Sequence, residues 1–392
     1  MTQMSALSWN KVEIDLAALR HNFRQVAELV GNAVEILAVV KADAYGHGLV
    51  PAAQAFAQAG AAVFGVAELE EGIRLRQAGI NGQIVVMLGV DRHGTADAVT
   101  HALTPVVYDL GMAQSLSQAA VKAGRCMGVQ VKVDVGMSRL GVLPRDFPSF
   151  MASLAALPNL YVAGVLSHFP KSDVEGDRAT ESQSTAFATL LDALPGSPGQ
   201  GAFRHIANSA TLLRYPSLRC DMVRSGISLY GCYPADWLGR NFPLALRPAM
   251  RFTSQVIQIK EVPVGQGISY GHAYVTDRPT RLAILPVGYD NGYLRRLAGK
   301  AEVLLGGQRA PIRGMICMNA CMADITDIPS VKQGDEAVLL GCQGSEEISA
   351  DEVARWSETI NYEILCLLGA CNRQTYIDTE NDEKFFCLKK MN

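Results

Sequence analysis

The chain has 392 residues, 49% of them hydrophobic and 19% charged, with a formal net charge of −3. This is the balance of a soluble globular protein with a sizeable core, long enough for two or three domains. It excludes a nucleic-acid or membrane-surface binder that works through bulk positive charge. The opening residues, MTQMSALSWNKVEIDL, lack a basic region followed by an apolar core, so they read as no signal peptide. No uninterrupted apolar stretch approaches the roughly 18 residues that span a bilayer. The nine cysteines include the spacings Cys317-x3-Cys321 and Cys366-x4-Cys371, with no paired His or Cys group placed to complete a zinc set. Reduced thiols, a cytoplasmic location and no metal are expected.

Taken in chain order, short apolar runs recur between residues 35 and 231. They are EILAVV (35–40), AAVFGVA (61–67), QIVVML (83–88), LTPVVY (103–108), VQVKVDV (129–135), LYVAGVL (160–166), FRHIAN (203–208) and DMVRSGISLYG (221–231). The intervening stretches, such as LVPAAQAFAQAG (49–60), are Ala-rich with apolar residues at i, i+3 and i+4, which is helix periodicity. Strand and helix alternating in this way predict parallel β/α units, and eight strands close a (β/α)8 barrel. PADWLGRNFPLALRP (234–248), with three prolines, reads as a hinge. Beyond it RFTSQVIQIKEV (251–262), RLAILPVGY (281–289), KAEVLLGG (300–307) and DEAVLLGC (335–342) predict a mostly β second domain. The expected division is 1–245 for the barrel and 246–392 for the β domain. A late segment, 350–368, reads as helical, and the polar end 379–392 as loosely held.

In a (β/α)8 barrel the active site sits at the C-terminal ends of the strands. Those ends carry, in order, Lys41, Arg139, His168, Asn208 with Ser209, and Arg224 with Gly226. An amine in an apolar, cation-rich setting has its charged form disfavoured, which frees it as a nucleophile or Schiff-base partner. RSGIS (224–228) predicts backbone N–H groups of Gly226 and Ile227 at a turn into a helix, and ANSA (207–210) adds a hydroxyl; both suit a phosphate. A Schiff-base lysine beside a phosphate site is the arrangement that pyridoxal 5′-phosphate requires.

Ten blocks in order then make the sequence resemble the alanine racemases over roughly residues 9–376. They are EIDLAALRHN (13–22), AVVKADAYGHG (38–48), VDVGMSRLGV (133–142), SHF (167–169), HIANSA (205–210), RSGISLYG (224–231), ISYGHAY (268–274), PVGYDNGY (286–293), ICMNACM (316–322) and INYEI (360–364). The resemblance implies a pyridoxal-phosphate enzyme with a barrel and a C-terminal β domain that interconverts L- and D-alanine and supplies D-alanine for peptidoglycan. It implies that Lys41 holds the cofactor and acts as one acid/base. Tyr45, Ser209, Tyr362 and the N–H groups of Gly226 and Ile227 would bind phosphate, with Asn208 beside them. His168 would lie near the ring and Arg224 would face the pyridine nitrogen. Arg139, helped by the backbone of Met318, would hold the ring's phenolic oxygen or the substrate carboxylate. Tyr270 would be the second base, contributed by the partner in a homodimer with composite sites. Lys132 matches a lysine that can be carbamylated in relatives.

Four places depart from the family pattern: Ser225 for a usual proline, Asn319 for an aspartate, Asp290-Asn291 for an Ala-Asp pair, and LGACNRQTY (368–376) in place of an arginine-valine-proline-arginine run. These changes are expected to touch the dimer contact and the entrance more than the acid/base set. An added hydroxyl is rejected only about a hundredfold in comparable apolar pockets, so a serine or broader-specificity racemase is the alternative. A basic amino-acid decarboxylase would place an acid opposite the pyridine nitrogen, where Arg224 stands. A cofactor carrier built on a barrel alone would lack the second domain, and a cofactor-free aldolase would need no phosphate turn.

Overall fold

The computed structural model describes residues 8–192 and 202–378. After a first strand β1 (Lys11–Asp15) the eight expected runs all form strands: β2 (Glu35–Val39), β3 (Val63–Val66), β4 (Gln83–Val86), β5 (Thr104–Val107), β6 (Met127–Lys132), β7 (Leu160–Leu166), β8 (Phe203–His205) and β9 (Met222–Ser225). They lie in one parallel sheet in the order β8-β7-β6-β5-β4-β3-β2-β9. The two ends meet: the Asp221 N–H donates to Arg204 O at 3.1 Å and the Arg224 N–H to Ala207 O at 2.9 Å, so the sheet curls into a nearly closed barrel. Runs of Val, Ile and Leu buried on both faces, as in β2, are what such a sheet demands.

The first strand lies elsewhere. KVEID pairs antiparallel with β10 (Met250–Gln255) and parallel with the last strand, Gln374–Ile377. Residues 11–15, expected within the barrel half, thus hydrogen-bond into the sheet of the second half, with Val12 and Ile14 fully buried there. β1 hands over directly to the helix Leu16–Val30, which flanks the barrel. The Asp15 carboxylate accepts from the N–H groups of Ala17 (2.8 Å) and Ala18 (3.1 Å), an N-terminal cap on the helix. Seven residues on, the buried Asn22 donates to Leu229 O and Arg247 O and accepts from the Arg247 N–H, tying barrel, hinge and first helix together.

The second half is mostly β: a seven-stranded sheet that includes β1, a three-stranded sheet and a two-stranded ribbon. The segment 350–368 divides into the helices Ala350–Ser357 and Asn361–Cys371, because Glu358 adopts φ 58° between them. Among the described residues no helix is long and apolar enough to cross a membrane. The end expected to be loosely held, 379–392, lies outside the described residues.

Candidate active site

Lys41 follows directly on β2, after the Val40 N–H has made its bond to Gly65 O. The next four residues, Ala42 to Tyr45, all have positive φ, between 51° and 55°, forming one left-handed turn without a glycine. Left-handed backbone costs an L-residue about 1–2 kcal/mol each, so the turn must be held from several sides. The Glu71 carboxylate accepts from the Ala42 N–H at 2.8 Å with one oxygen and from the Ala67 N–H with the other. Asp43 Oδ1 accepts from the Leu49 N–H. The fully buried His47 has Nδ1 within 3.1 Å of Ala44 O and 3.0 Å of Tyr45 O; both are acceptors, so Nδ1 carries the proton.

Across the barrel mouth Arg224 is 6% exposed. One terminal nitrogen donates to His205 Nδ1 (3.1 Å) and His205 O (2.9 Å). The other donates to Ser167 O, His168 Nδ1 (3.0 Å) and Ile206 O. A guanidinium has no acceptor, so both imidazoles must accept through Nδ1 and carry their proton on Nε2. His205 Nε2 donates onward to Gln130 Oε1 at 3.0 Å. Burial, then the Arg224 charge, holds both histidines well below the usual imidazole range, which keeps them neutral. Among the described residues, the two terminal nitrogens of Arg224 find partners and its Nε–H finds none.

Lys41, His168 and Arg224 line a cavity of about 520 Å³, together with Arg139, Asn208, Ser209, Gly226, Ile227, Tyr45 and Tyr362; His205 and Gln130 stand behind its wall. Asn208 Oδ1 is taken up in capping the helix Ser209–Arg214 through the Ala210 and Thr211 N–H groups. Ser209 Oγ accepts from the Gly226 N–H at 2.9 Å, which leaves its own proton free to donate. Gly226 is required for contact: a Cβ there would overlap Tyr45 Oη. The Tyr45 ring stacks on Tyr230 with centroids 4.8 Å apart and lies 6.0 Å from Tyr362.

The cavity is strongly cationic. Burial, then Arg139, lowers the Lys41 ammonium from its usual range. Lys132, also buried in the wall, is brought down to about 8 by burial and by Arg224. Burial raises the phenols of Tyr45 and Tyr362 far above their ordinary range, so both are hydrogen-bond donors and not bases.

Tyr270 and Met318 are not among the cavity-lining residues. They are 68% and 55% exposed, on the second domain. Tyr270 sits on a turn in which Ser269, Gly271 and His272 all have positive φ. The Tyr289 N–H donates to Cys317 O and the Asp290 N–H to Met318 O, which joins the Tyr289 and Met318 loops. Asn319 Nδ2 donates to Asp290 Oδ2 at 3.0 Å, so two of the departures from the family pattern form one pair.

Several contributors went unnoticed in the sequence. Gln130 had a signal, since it is two residues from Lys132 in β6 and so shares its face. Glu71, Asp43 and Gln374, which hold the left-handed turn, had none. No pattern marks a four-residue left-handed turn lacking glycine.

Comparison with known proteins bears on the whole chain. Residues 14–234 match the model of the alanine racemase N-terminal domain and residues 249–376 that of the C-terminal domain. An alanine racemase of Syntrophobacter fumaroxidans is 43% identical over 93% of this chain and 96% of its own length. One of Halothermothrix orenii is 42% identical over 90% and 93%. Among solved structures, alanine racemase from a D-cycloserine-producing Streptomyces lavendulae superposes with a TM-score of 0.89 at 35% identity, covering 95% of this chain and 97% of that one. Alanine racemase of Bartonella henselae, solved with covalently bound pyridoxal phosphate, gives 0.84 at 28% identity, covering 94% and 99%. With both domain models matched in order and relatives above 40% identity over nine-tenths of its length, the chain belongs to the alanine racemase family.

Proposed function

We propose that the chain interconverts L- and D-alanine with pyridoxal 5′-phosphate held on Lys41, using Lys41 and Tyr270 of the partner subunit as two opposed bases, and so supplies D-alanine for peptidoglycan. The residues present fit that cofactor. A cavity of about 520 Å³ holds a lysine with a lowered pKa beside Arg139, Lys132 and Arg224, a charge set suited to a phosphate dianion. The Ser209 hydroxyl, Tyr45 and Tyr362, all donors, with the N–H of Ile227, would hold the phosphate, while the Gly226 N–H, expected to join them, already donates to Ser209 Oγ and holds that hydroxyl in place. The observation that carries the reading is the unassigned Nε–H of Arg224, a donor that would meet the pyridine nitrogen. The covalently bound cofactor in the Bartonella henselae relative supports it.

When bound, the cofactor acidifies the α-hydrogen of an amino acid joined to it. Arg224 would face the pyridine nitrogen with an N–H that it does not give up, because a guanidinium surrenders its proton far less readily than a carboxylic acid. That residue choice would favour return of a proton to Cα over transamination. Arg139 at the rim would hold the phenolic oxygen or the substrate carboxylate, with the Met318 backbone of the partner subunit. Lys41 Nζ takes or returns a proton on one face. On the other face Tyr270 of the partner subunit does the same through its phenolic oxygen. A phenol ionises near pH 10 when isolated, so it needs help. His168, fixed by Arg224 with its proton on Nε2, has a donor to offer a phenolate, backed by the Arg224 charge. That Tyr270 is exposed on its own chain and absent from its own cavity supports a role toward a second copy in a homodimer.

The test is exchange of the α-hydrogen in deuterated solvent across a panel of amino acids, with borohydride fixation to locate the cofactor. Exchange of alanine and a label on Lys41 are expected. If no amino acid exchanges, the racemase reading fails; if serine outpaces alanine, the substrate assignment falls.

A further inference from the structure

The final strand, Gln374–Ile377, reaches back to the turn that carries Lys41. Gln374 Nε2 donates to Asp43 Oδ2 (3.3 Å), Gly46 O (2.9 Å) and Gly369 O (3.2 Å). Its Oε1 accepts from the Tyr376 hydroxyl at 2.9 Å. Three acceptors on one side and a hydroxyl donor on the other leave the carboxamide a single sensible orientation. The backbone beneath it is in contact too. A Cβ on Gly369 would overlap Gly46 O, and one on Gly46 would overlap Leu365 O, so the helix Asn361–Cys371 lies directly on the left-handed turn. That helix also brings Tyr362 and Cys366 to the cavity wall. Gln374 stands in the segment where the family's arginine-valine-proline-arginine run is missing. That departure therefore meets the cofactor lysine's own turn, and not only the dimer contact and the entrance.

Resting on the cofactor reading above, we propose that Gln374 is a positioning residue for Lys41: its carboxamide latches the left-handed turn to the second domain and so sets where the lysine amine points. Glu71 holds the turn's beginning from the barrel side and Asp43 is its middle. Gln374 is the group that ties its middle and its end to the helix and strand that follow the hinge. One carboxamide thus couples the docking of the C-terminal elements to the competence of an amine in the barrel. The turn cannot hold itself, because every residue from Ala42 to Tyr45 is in a conformation an isolated chain avoids.

The experiment strips the full-length protein of pyridoxal phosphate and follows its return by visible absorbance, in wild type, Q374A, Q374E, Q374R and Y376F. Losing donors to one carboxylate and two carbonyls weakens uptake about tenfold in Q374A, by the size of such bonds. Q374E, which turns an acceptor toward three acceptors, is weaker again. Q374R restores donors and recovers most of the affinity. Y376F, which frees only the carboxamide's orientation, falls between wild type and Q374A and keeps the test alive if Q374E does not fold. The pH at which the bound cofactor's colour titrates shifts in the same order, because it reports the amine's surroundings. Q374A matching wild type in affinity and in colour titration overturns the latch alone. Lower melting temperatures across the set with unchanged affinity also overturn it, since the role would then be structural. A wild type that takes up no pyridoxal phosphate overturns the cofactor reading and the latch with it.

Discussion

Replacing Arg224 with lysine keeps the positive charge and removes the fork. In the native site two terminal nitrogens hold five acceptors: His205 Nδ1, His168 Nδ1 and the carbonyls of Ser167, His205 and Ile206. An ammonium has three donors and no planar spread, so at least two of those acceptors are left unpaired in a buried wall. Hydrogen bonds from a charged donor contribute about 1.5–3 kcal/mol each, so Arg224→Lys is expected to cost about 3–6 kcal/mol. That is a large share of the roughly 5–15 kcal/mol by which a typical protein is stable. Urea unfolding measures the loss, and imidazole 15N shifts report the tautomers. Wild type shows Nδ1 unprotonated on both His168 and His205, and the variant loses that uniformity. A variant within about 1 kcal/mol of wild type, or a wild-type His205 protonated on Nδ1, would show that Arg224 does not organise the site as argued.

Gly46→Ala adds a methyl at φ +80°, against the Leu365 carbonyl. Strain and overpacking together cost about 2–5 kcal/mol, and a urea midpoint close to wild type would contradict the close approach. His47, buried and neutral, has its pKa pulled down to about 4 from 6.5 by burial. The unfolded chain therefore binds the extra proton first; this stability is complete above about pH 6.5 and is lost as pH falls toward 4, by about 3 kcal/mol. Asn at 47 keeps a donor and removes the titration, so the difference in pH slope between wild type and His47→Asn isolates the effect; equal slopes refute it. Tyr270→Phe is expected to leave cofactor binding intact and to slow proton removal from one enantiomer by about 10²–10⁴, read as an asymmetric loss of α-deuterium exchange. Equal losses for both enantiomers would remove Tyr270 from the pair of bases.

The barrel was legible because its signal is local and repeated: eight apolar runs with helical stretches between them are visible one at a time. The cationic rim was legible for a related reason, since the C-terminal end of each parallel strand faces the same side. β1 was not legible as part of the second sheet. Its alternation is the same whether it joins the barrel or pairs with β10, and only long-range pairing chooses between them.

The same division runs through the site. From the amino acids alone came the lysine after an apolar strand, the phosphate-suited turn, and arginines at the strand ends on the same rim. Those are chemical identities, and a chain carries them wherever it folds. The protonation of His168 and His205, the left-handed turn under Lys41 and its attachment to Gln374 needed three dimensions. Each depends on groups tens to hundreds of residues apart meeting at about 3 Å, and hydrogen-bond partners at that range leave no periodicity for a sequence to display.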